Sequence, residues 1–563
     1  MNGVMVGTEP ETEASAETKA SRSGGGGRLW PFLLLGLAVA LLFLTSPRNG
    51  DFAWSDAPRH AMDGAFYRDF FAQLPLGAPK QFAVEYYLQY PALTILFYPP
   101  LFAVVAAGFF ALLGVSHFTA QLTVMAFYLA AAWGAFRLCR RWLDEWSAFA
   151  ASLLFVGVPE VALWGRQVML EVPAYTFVLW SGYYLFEYLD RRRPALLYVT
   201  AALFGAGLLT KQTVAFMLPV FAWTLWRARG GGILRDRHVW GSLGALGLMV
   251  LPLVVVMLKF GQQNAASVSG AWLKASRVSF GTWVYYLREL PEQMGWPALA
   301  LAVVFLLSMA LEKGRLLPKD AQGFLLAWLG LGYVFFSWIL FKERRHTVLI
   351  LFPLVVFAVA GLRRLLPAKA ARAAALLLAC GTFGYSALFG QVPYVRGYRE
   401  AADYVAEHAP PNSVVLFSGE RDGSFIFNLR AREDRRDLTV LRSDKLLVRV
   451  AVSRDRGIRE LAVTEAQLAG MINDYGISHV VNQPNFWDDL EAFQRLQRVL
   501  QGGGFRRVRT IAVESNMNHT DRQIEIWENA GPVSTSKAWL KMDLPIVGLT
   551  IEGPLNRGGA RKP

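Results

Sequence analysis

Ionisable side chains interrupt or border long apolar stretches of this sequence at five places. A charged group inside or beside an apolar helix is costly, so each is a functional candidate by default. The candidates are three carboxylates, four cations and two histidines: Asp56, Glu85, Glu171, Arg166, Lys211, Arg344, Arg345, His60 and His346. Carboxylates in such surroundings act as general bases, and cations stabilise negative charge that develops during a reaction.

The segment FAWSDAPRHAMDG, residues 52–64, carries the densest group of these charges. If it is helical, Asp56, Arg59, His60 and Asp63 share one face, because their spacing is i, i+3, i+4, i+7. One interpretation is a solvated helix face on which Arg59 pairs with Asp63. The other makes Asp56 a general base or, with His60, part of a metal site. The spacing alone leaves both open.

Charges also begin two later apolar segments. In GRQVMLEVPAYTFVLW, Arg166 suits an interface where its long side chain reaches polar surroundings, whereas Glu171 would lie at membrane depth. In GLLTKQTVAFMLP, Lys211 interrupts a long run without another charge. Lys211 either extends outward from a hairpin turn or holds a lipid phosphate as a point charge.

Two further groups have two interpretations each. The segment FKERRHTVLILFP places Arg344, Arg345 and His346 before an apolar helix. One interpretation is an exception to the tendency of basic loops to lie on the cytoplasmic side. The other is an anion site, since arginine binds phosphate bidentately. Glu85 stands among tyrosines, which suits either sugar recognition or a membrane interface.

Together these groups suit attack by a hydroxyl on a sugar whose leaving group is a phosphate attached to a lipid. A carboxylate takes the proton of the acceptor, and cations stabilise the phosphate charge in a dry site. The spread of carboxylates does not support a metal set, so a divalent metal is not predicted and no other cofactor is indicated.

The composition places these charges in a membrane protein. The chain has 563 residues, of which 54% are hydrophobic and 18% charged, whereas soluble domains carry about 25% charged residues. The net charge of +14 comes largely from arginine clusters in short loops. Such clusters are typical of cytoplasmic loops, so the charge does not indicate nucleic-acid binding.

Apolar runs predict a polytopic α-helical membrane protein with about 11 transmembrane helices. The crossings are predicted at 29–46, 117–138, 145–163, 170–189, 195–210, 212–227, 238–258, 295–312, 321–341, 346–362 and 371–390. With the N-terminus inside, the outer loops are 47–116 and 259–294, and all five charge groups face outward. The run 99–115 is apolar enough to cross, but a crossing there would invert the later loops, so we expect it to be embedded without a full crossing.

Two regions flank this transmembrane domain of residues 29–390. Residues 1–28 are polar and predicted to be a disordered cytoplasmic segment. Residues 391–563 alternate helix and strand patterns, which predicts a small soluble α/β domain on the outer, periplasmic side. No glycine-rich phosphate loop follows its strands, so a nucleotide site is not expected there.

The order of these features resembles the GT-C glycosyltransferases that use polyprenyl-phosphate sugars, with protein O-mannosyltransferases and lipid A aminoarabinose transferases as similar families. The matching segments are WSDAPRHAMDG, YPPLFAVV, RQVMLEVPA, GLLTK and RRHTVLILFPLVVFAVAGL, over roughly 29–364. The resemblance implies that Asp56 is the base of an inverting displacement and that Glu171 lies at the same site. It also implies that Lys211 and Arg345, with Arg166 as a further member, contact the carrier phosphate. The sequence departs from the mannosyltransferases at Ala57, where they carry a second acid, and at His346, where they carry tyrosine.

The sequence therefore predicts a multi-pass glycosyltransferase, expected in a bacterial inner membrane. Its donor would be a polyprenyl-phosphate-linked sugar and its acceptor a protein, glycan or lipid. One alternative is a transporter or flippase of lipid-linked saccharides, which predicts midplane charges and an internal repeat; no repeat is evident. Another is a non-enzymatic scaffold presenting the C-terminal domain, which leaves Glu171 and the outer basic cluster unexplained.

Overall fold

The structure, a computed structural model, describes residues 29–555 except Asn49, 271–272, 274, 312–316, 451–453, 455–456, 532–538 and 545–546. The predicted disordered segment 1–28 lies outside the described residues.

The chain up to Leu388 is helical. The α-helices are α1 Trp30–Leu44, α2 Ala57–Gln73, α3 Pro79–Gln89, α4 Leu101–Leu113, α5 His117–Cys139, α6 Glu145–Gly157, α7 Pro159–Trp164, α8 Glu171–Arg191, α9 Pro194–Leu208, α10 Met217–Arg229, α11 Arg237–Phe260, α12 Gln262–Ser269, α13 Phe280–Met294, α14 Trp296–Leu311, α15 Lys319–Trp338, α16 Leu351–Leu365 and α17 Ala368–Leu388. Short 3₁₀ helices cover Gln212–Phe216, Gly230–Arg235 and Arg344–Ile350.

A helix lies at each of the predicted crossings. Of the described helical segments, five are long and apolar enough to cross a membrane: α5, α11, α15, Arg344–Leu365 and α17. Shorter apolar helices are α1, α4, α6, α9 and α14. The apolar helical architecture is thus confirmed, and the number of crossings remains a prediction.

Helix α4 accounts for the apolar run 99–115. Its 13 residues extend about 20 Å at 1.5 Å per residue, which is short of the roughly 30 Å hydrocarbon core. It packs against α2 and α5. A Cβ at Gly64 of α2 would lie 2.9 Å from the Phe110 ring, so this glycine permits the close approach of α4. These dimensions favour an embedded helix over a full crossing.

The C-terminal region folds as the predicted α/β unit. Its strands are β1 Val395–Arg396, β2 Val414–Ser418, β3 Thr439–Arg442, β4 Val448–Val450, β5 Ile458–Glu460, β6 Ile477–Asn482, β7 Phe505–Ala512, β8 Glu514–Ser515, β9 Gln523–Asn529, β10 Trp539–Leu544 and β11 Leu549–Pro554. Its α-helices are α18 Tyr398–His408, α19 Asp422–Ala431, α20 Ser443–Leu446, α21 Glu465–Asp474 and α22 Glu491–Gln501, with a 3₁₀ turn at Glu433–Arg435. The main sheet has the order β3-β2-β6-β9-β7, in which β3, β2 and β6 are parallel and the β6–β9 and β9–β7 pairs are antiparallel.

This α/β unit packs on the segment 47–116 through a buried ion-pair network. The fully buried Arg430 of α19 pairs with Asp69 of α2 and donates a 2.9 Å hydrogen bond to the Tyr86 hydroxyl of α3. Arg436 also pairs with Asp69, at 2.9 Å. Because a buried charge must be paired to be tolerated, these contacts fix the α/β unit to the loop.

Labelling of Ser55 tests the predicted topology. Ser55 is exposed in the predicted outer loop 47–116, so Ser55→Cys in a Cys380→Ser background should react with a membrane-impermeant maleimide applied from outside. The matched control is Gly231→Cys. Gly231 is exposed, with open space around it, in a predicted cytoplasmic loop. The cysteine at this position should react only after the membrane is permeabilised. The reverse pattern would invert the topology.

Candidate active site

Four helix beginnings bring the main candidate residues together. Asp56 immediately precedes α2, with Pro58 in the first turn, where proline favours helix initiation. Glu171 is the first residue of α8. Lys211 precedes the 3₁₀ helix Gln212–Phe216, and Arg345 lies in the first turn of Arg344–Ile350. A helix N-terminus favours anions over cations, so the two cations require acidic partners here.

Asp56 and Arg345 form the first ion pair of the site. Nη1 of Arg345 lies 2.9 Å from Oδ2 of Asp56, although 289 residues separate them in the sequence. Arg345 also donates through Nε to Glu343. A quarter of the Asp56 side chain remains exposed, so this carboxylate is accessible from outside.

Glu171 and Lys211 form the second ion pair, with Nζ of Lys211 2.5 Å from Oε1 of Glu171. The Glu171 side chain is only 1% exposed, and its Oε2 atom has no hydrogen-bond partner among the described residues. Arg345 interacts electrostatically with Glu171 as well as with Asp56. We call Asp56, Glu171, Lys211 and Arg345 the carboxylate–cation cluster.

Two histidines and a tyrosine surround this cluster. The buried His60 lies on Tyr98 with ring centroids 4.4 Å apart, and it interacts electrostatically with all four members of the cluster. Tyr98 also interacts electrostatically with Asp56 and Arg345. His346 is buried, and its Nδ1 lies 3.3 Å from the Tyr286 hydroxyl. The predicted residues His60 and His346 therefore border the site.

Three other predicted residues bind protein groups instead. The buried Arg166 donates to the carbonyls of Ala162 and Ser386 and to the Thr45 hydroxyl, so its guanidinium is not at a lipid interface. Arg344 pairs with three acids, and Glu85 accepts a 2.8 Å hydrogen bond from Gln81 on its own helix. The predicted roles of these three residues in binding remain predictions.

The interpretation of residues 52–64 as a solvated face is wrong. His60 and Asp63 are both buried. Asp63 accepts hydrogen bonds from the backbone N–H and hydroxyl of Thr94, at 2.7 and 2.8 Å. Arg59 pairs with Asp422 of the α/β unit rather than with Asp63.

Sequence reasoning missed Tyr98 and Glu343. Tyr98 directly precedes the proline pair of YPPLFAVV, and Leu101 after that pair donates a backbone hydrogen bond to Leu209, close to Lys211. Glu343 is the acid within FKERRH, where the sequence analysis considers Arg344, Arg345 and His346 but not this carboxylate. Among the described residues, no group of three His, Cys, Asp or Glu side chains is placed to hold a metal ion.

The ion pair sets the protonation state of Asp56. Burial acts to raise the pKa of Asp56, but the charge and hydrogen bond of Arg345 outweigh it and lower that pKa to about 2. Asp56 is thus ionised at neutral pH, the form that accepts a proton.

Comparisons with known proteins give one matching family pattern and several structures of similar fold. The sequence pattern of the dolichyl-phosphate-mannose-protein mannosyltransferase family matches residues 98–257, which include Tyr98, Glu171 and Lys211. No protein of curated function matches the sequence.

Solved structures match over most of the chain. ArnT from Cupriavidus metallidurans bound to undecaprenyl phosphate superimposes with a TM-score of 0.61 at 14% identity, over 91% of this chain and 99% of that protein. Its apo state gives a TM-score of 0.59 at 16% identity, over 89% and 99%. The Archaeoglobus fulgidus oligosaccharyltransferase in complex with Zn and sulfate gives a TM-score of 0.52 at 11% identity, over 81% of this chain and 68% of that protein. The chain therefore has the fold of the GT-C glycosyltransferases, as its motifs predict.

Proposed function

We propose that this protein is an integral membrane glycosyltransferase that moves a sugar from a polyprenyl-phosphate donor to a hydroxyl or amine on the outer face of the membrane. The acceptor is a protein, glycan or lipid. The observation that carries the proposal is the carboxylate–cation cluster, in which a reachable base and two cations meet beside apolar helices. The mannosyltransferase pattern over residues 98–257 supports a lipid-phosphate donor.

The proposed reaction is a direct displacement. Asp56 takes the proton of the acceptor as its oxygen or nitrogen attacks the anomeric carbon. The bond from that carbon to the phosphate oxygen breaks, and its electron pair leaves with the lipid phosphate. Lys211 and Arg345 stabilise that charge, and attack opposite the leaving group inverts the sugar configuration.

Donor binding also activates the base. Without a phosphate, each cation is held by a carboxylate of the cluster. A donor phosphate competes for the same cations. When Arg345 turns from Asp56 to the phosphate, the ion pair weakens and the proton affinity of the Asp56 carboxylate rises. The pKa of about 2 in the free protein therefore moves toward values at which Asp56 is a stronger base.

The test is purified protein with a short-chain polyprenyl-phosphate sugar and a mixture of envelope acceptors, measuring sugar transfer and donor hydrolysis. We expect turnover by the wild type and loss of donor binding in Lys211→Ala. Absence of any donor binding would contradict the proposal. Movement of intact donor across vesicles without transfer would instead identify a flippase.

The pH dependence of transfer reports on the Arg345–Asp56 pair. With the Asp56 pKa at about 2 in the free protein, wild-type kcat/KM, which reports on the free protein, should not fall through protonation of Asp56 between pH 7 and about pH 4. Arg345→Gln removes the charge that lowers this pKa, so its kcat/KM should fall as the pH is lowered, at a higher pH than in the wild type. Arg345→Lys keeps a positive charge and serves as the control. Identical profile shapes for Arg345→Gln and wild type would contradict the assignment.

A further inference from the structure

Residues 51–59, here called the Asp56 segment, are bound along their length by the α/β unit. Asp51 accepts hydrogen bonds from the backbone N–H groups of Tyr398 and Arg399, at 3.0 and 2.8 Å, and from the Asn428 amide, at 2.8 Å. Tyr398 begins α18, whose own preceding residue Gly397 provides no side-chain cap. Asp51 therefore accepts hydrogen bonds from the free backbone N–H groups at the N-terminus of α18, although it lies in a distant part of the sequence.

The next two residues are held through their backbone. The N–H group of Phe52 donates to Oγ of Ser424 at 3.2 Å, and that hydroxyl donates to the Phe52 carbonyl at 3.3 Å. The Ala53 carbonyl accepts from Arg421, which is itself held at 2.8 Å by the fully buried Asp521. The Ser424 hydroxyl thus bonds to both the backbone N–H and the backbone carbonyl of Phe52.

The first turn of α2 is bound in the same way. Arg59 pairs with Asp422 at 3.3 Å, and Asp422 is fixed by Arg442 at 2.7 Å. A Cβ at Gly423 would lie 2.7 Å from Cγ of Pro58, so α19 begins in direct contact with the beginning of α2. Asp56 lies between these attachment points.

The Asp56 segment has no regular secondary structure before α2. Residues 51–56 belong to no helix or strand, and Asp56 makes no capping hydrogen bond to α2. A reacting group displaced by about 1 Å loses roughly a hundredfold in rate. The contacts with residues 398–428 therefore fix the backbone on both sides of Asp56, while the ion pair with Arg345 orients its carboxylate.

We propose that the α/β unit is part of the catalytic apparatus and that Ser424, Gly423 and Arg421 are positioning residues for Asp56. This rests on the proposed function, in which Asp56 is the base. The unit acts on the rate of the chemical step and not on donor affinity, because none of these three residues contacts Lys211 or Arg345 among the described contacts.

The test compares Ser424→Ala and Gly423→Ala with Ser478→Ala in the full-length protein. Ser478 is also a buried serine of the α/β unit, but among the described residues its hydroxyl bonds only to Ser413, His479 and Val414 within that unit. We expect Ser424→Ala and Gly423→Ala to lower kcat by about ten- to a hundredfold with unchanged donor Kd. Ser478→Ala should leave kcat at the wild-type value even where it lowers Tm equally.

Hydrogen exchange provides a readout independent of activity. Amides of residues 51–59 should exchange faster in Ser424→Ala and not in Ser478→Ala. Wild-type kcat and unchanged exchange in both Ser424→Ala and Gly423→Ala would overturn the inference, as would equal losses in all three variants. A wild type that binds no donor would refute the proposed function, while the exchange result would still decide whether the α/β unit holds the segment.

Discussion

Asparagine in place of Asp56 should lower the rate of sugar transfer by about 10²–10⁴-fold, the range typical of a lost general base. The amide has the same shape and can still accept the hydrogen bond from Arg345, so fold and donor binding should persist. It cannot take the proton of the acceptor. The measurement is kcat at saturating polyprenyl-phosphate sugar, with donor Kd determined separately.

Asp190→Asn is the matched control. Asp190 is also paired with an arginine, Arg141, but it lies near the far end of α8 from Glu171. We expect this variant to transfer sugar at the wild-type rate. If Asp56→Asn keeps full transfer while Asp190→Asn behaves normally, Asp56 is not the base.

Methionine in place of Lys211 should both destabilise the protein and abolish donor binding. Methionine keeps the length of the side chain but removes the charge, which leaves the carboxylate of Glu171 buried at 1% exposure without its cation. Breaking a buried ion pair from one side costs about 3–5 kcal/mol. We expect a lower Tm in detergent, together with loss of binding of the polyprenyl-phosphate donor.

The double variant Lys211→Met/Glu171→Gln separates these two effects. Glutamine removes the buried charge, so the Tm should recover much of its loss, whereas donor binding should remain absent because the cation is still missing. A wild-type Tm for Lys211→Met would show that Glu171 does not depend on Lys211. A stable double variant with normal donor binding would show that Lys211 does not hold the phosphate.

The helices were predictable because long apolar runs have few alternatives in a membrane protein. The strands of the α/β unit were predictable where short apolar runs lie between turn residues, as in SVVLFSG and SHVVNQ. Helix α19 is harder to predict from the sequence, because DGSFIFNLRA has only a weak helical pattern and is stabilised by packing on α2 and α18.

The cluster was predictable residue by residue, but its pairing was not. Glu171 and Lys211 stood out because a charge in apolar surroundings is rarely accidental. The pairing of Arg345 with Asp56 depends on the tertiary fold, since no periodicity connects residues 289 positions apart. For the same reason helical spacing gave Arg59 the wrong partner, Asp63, when the true partner Asp422 lies 363 positions away.

The attachment of Asp51 to Tyr398 and Asn428 also sets when the Asp56 segment can reach its folded position during synthesis. These partners follow Asp51 by 347 and 377 residues, which takes a ribosome roughly 20–70 s at about 5–20 residues per second. Throughout that time the groups that hold Asp51 are missing from the growing chain. The surroundings of Asp56 are therefore completed only after residues 398–428 have been synthesised and have folded against the helices made before them.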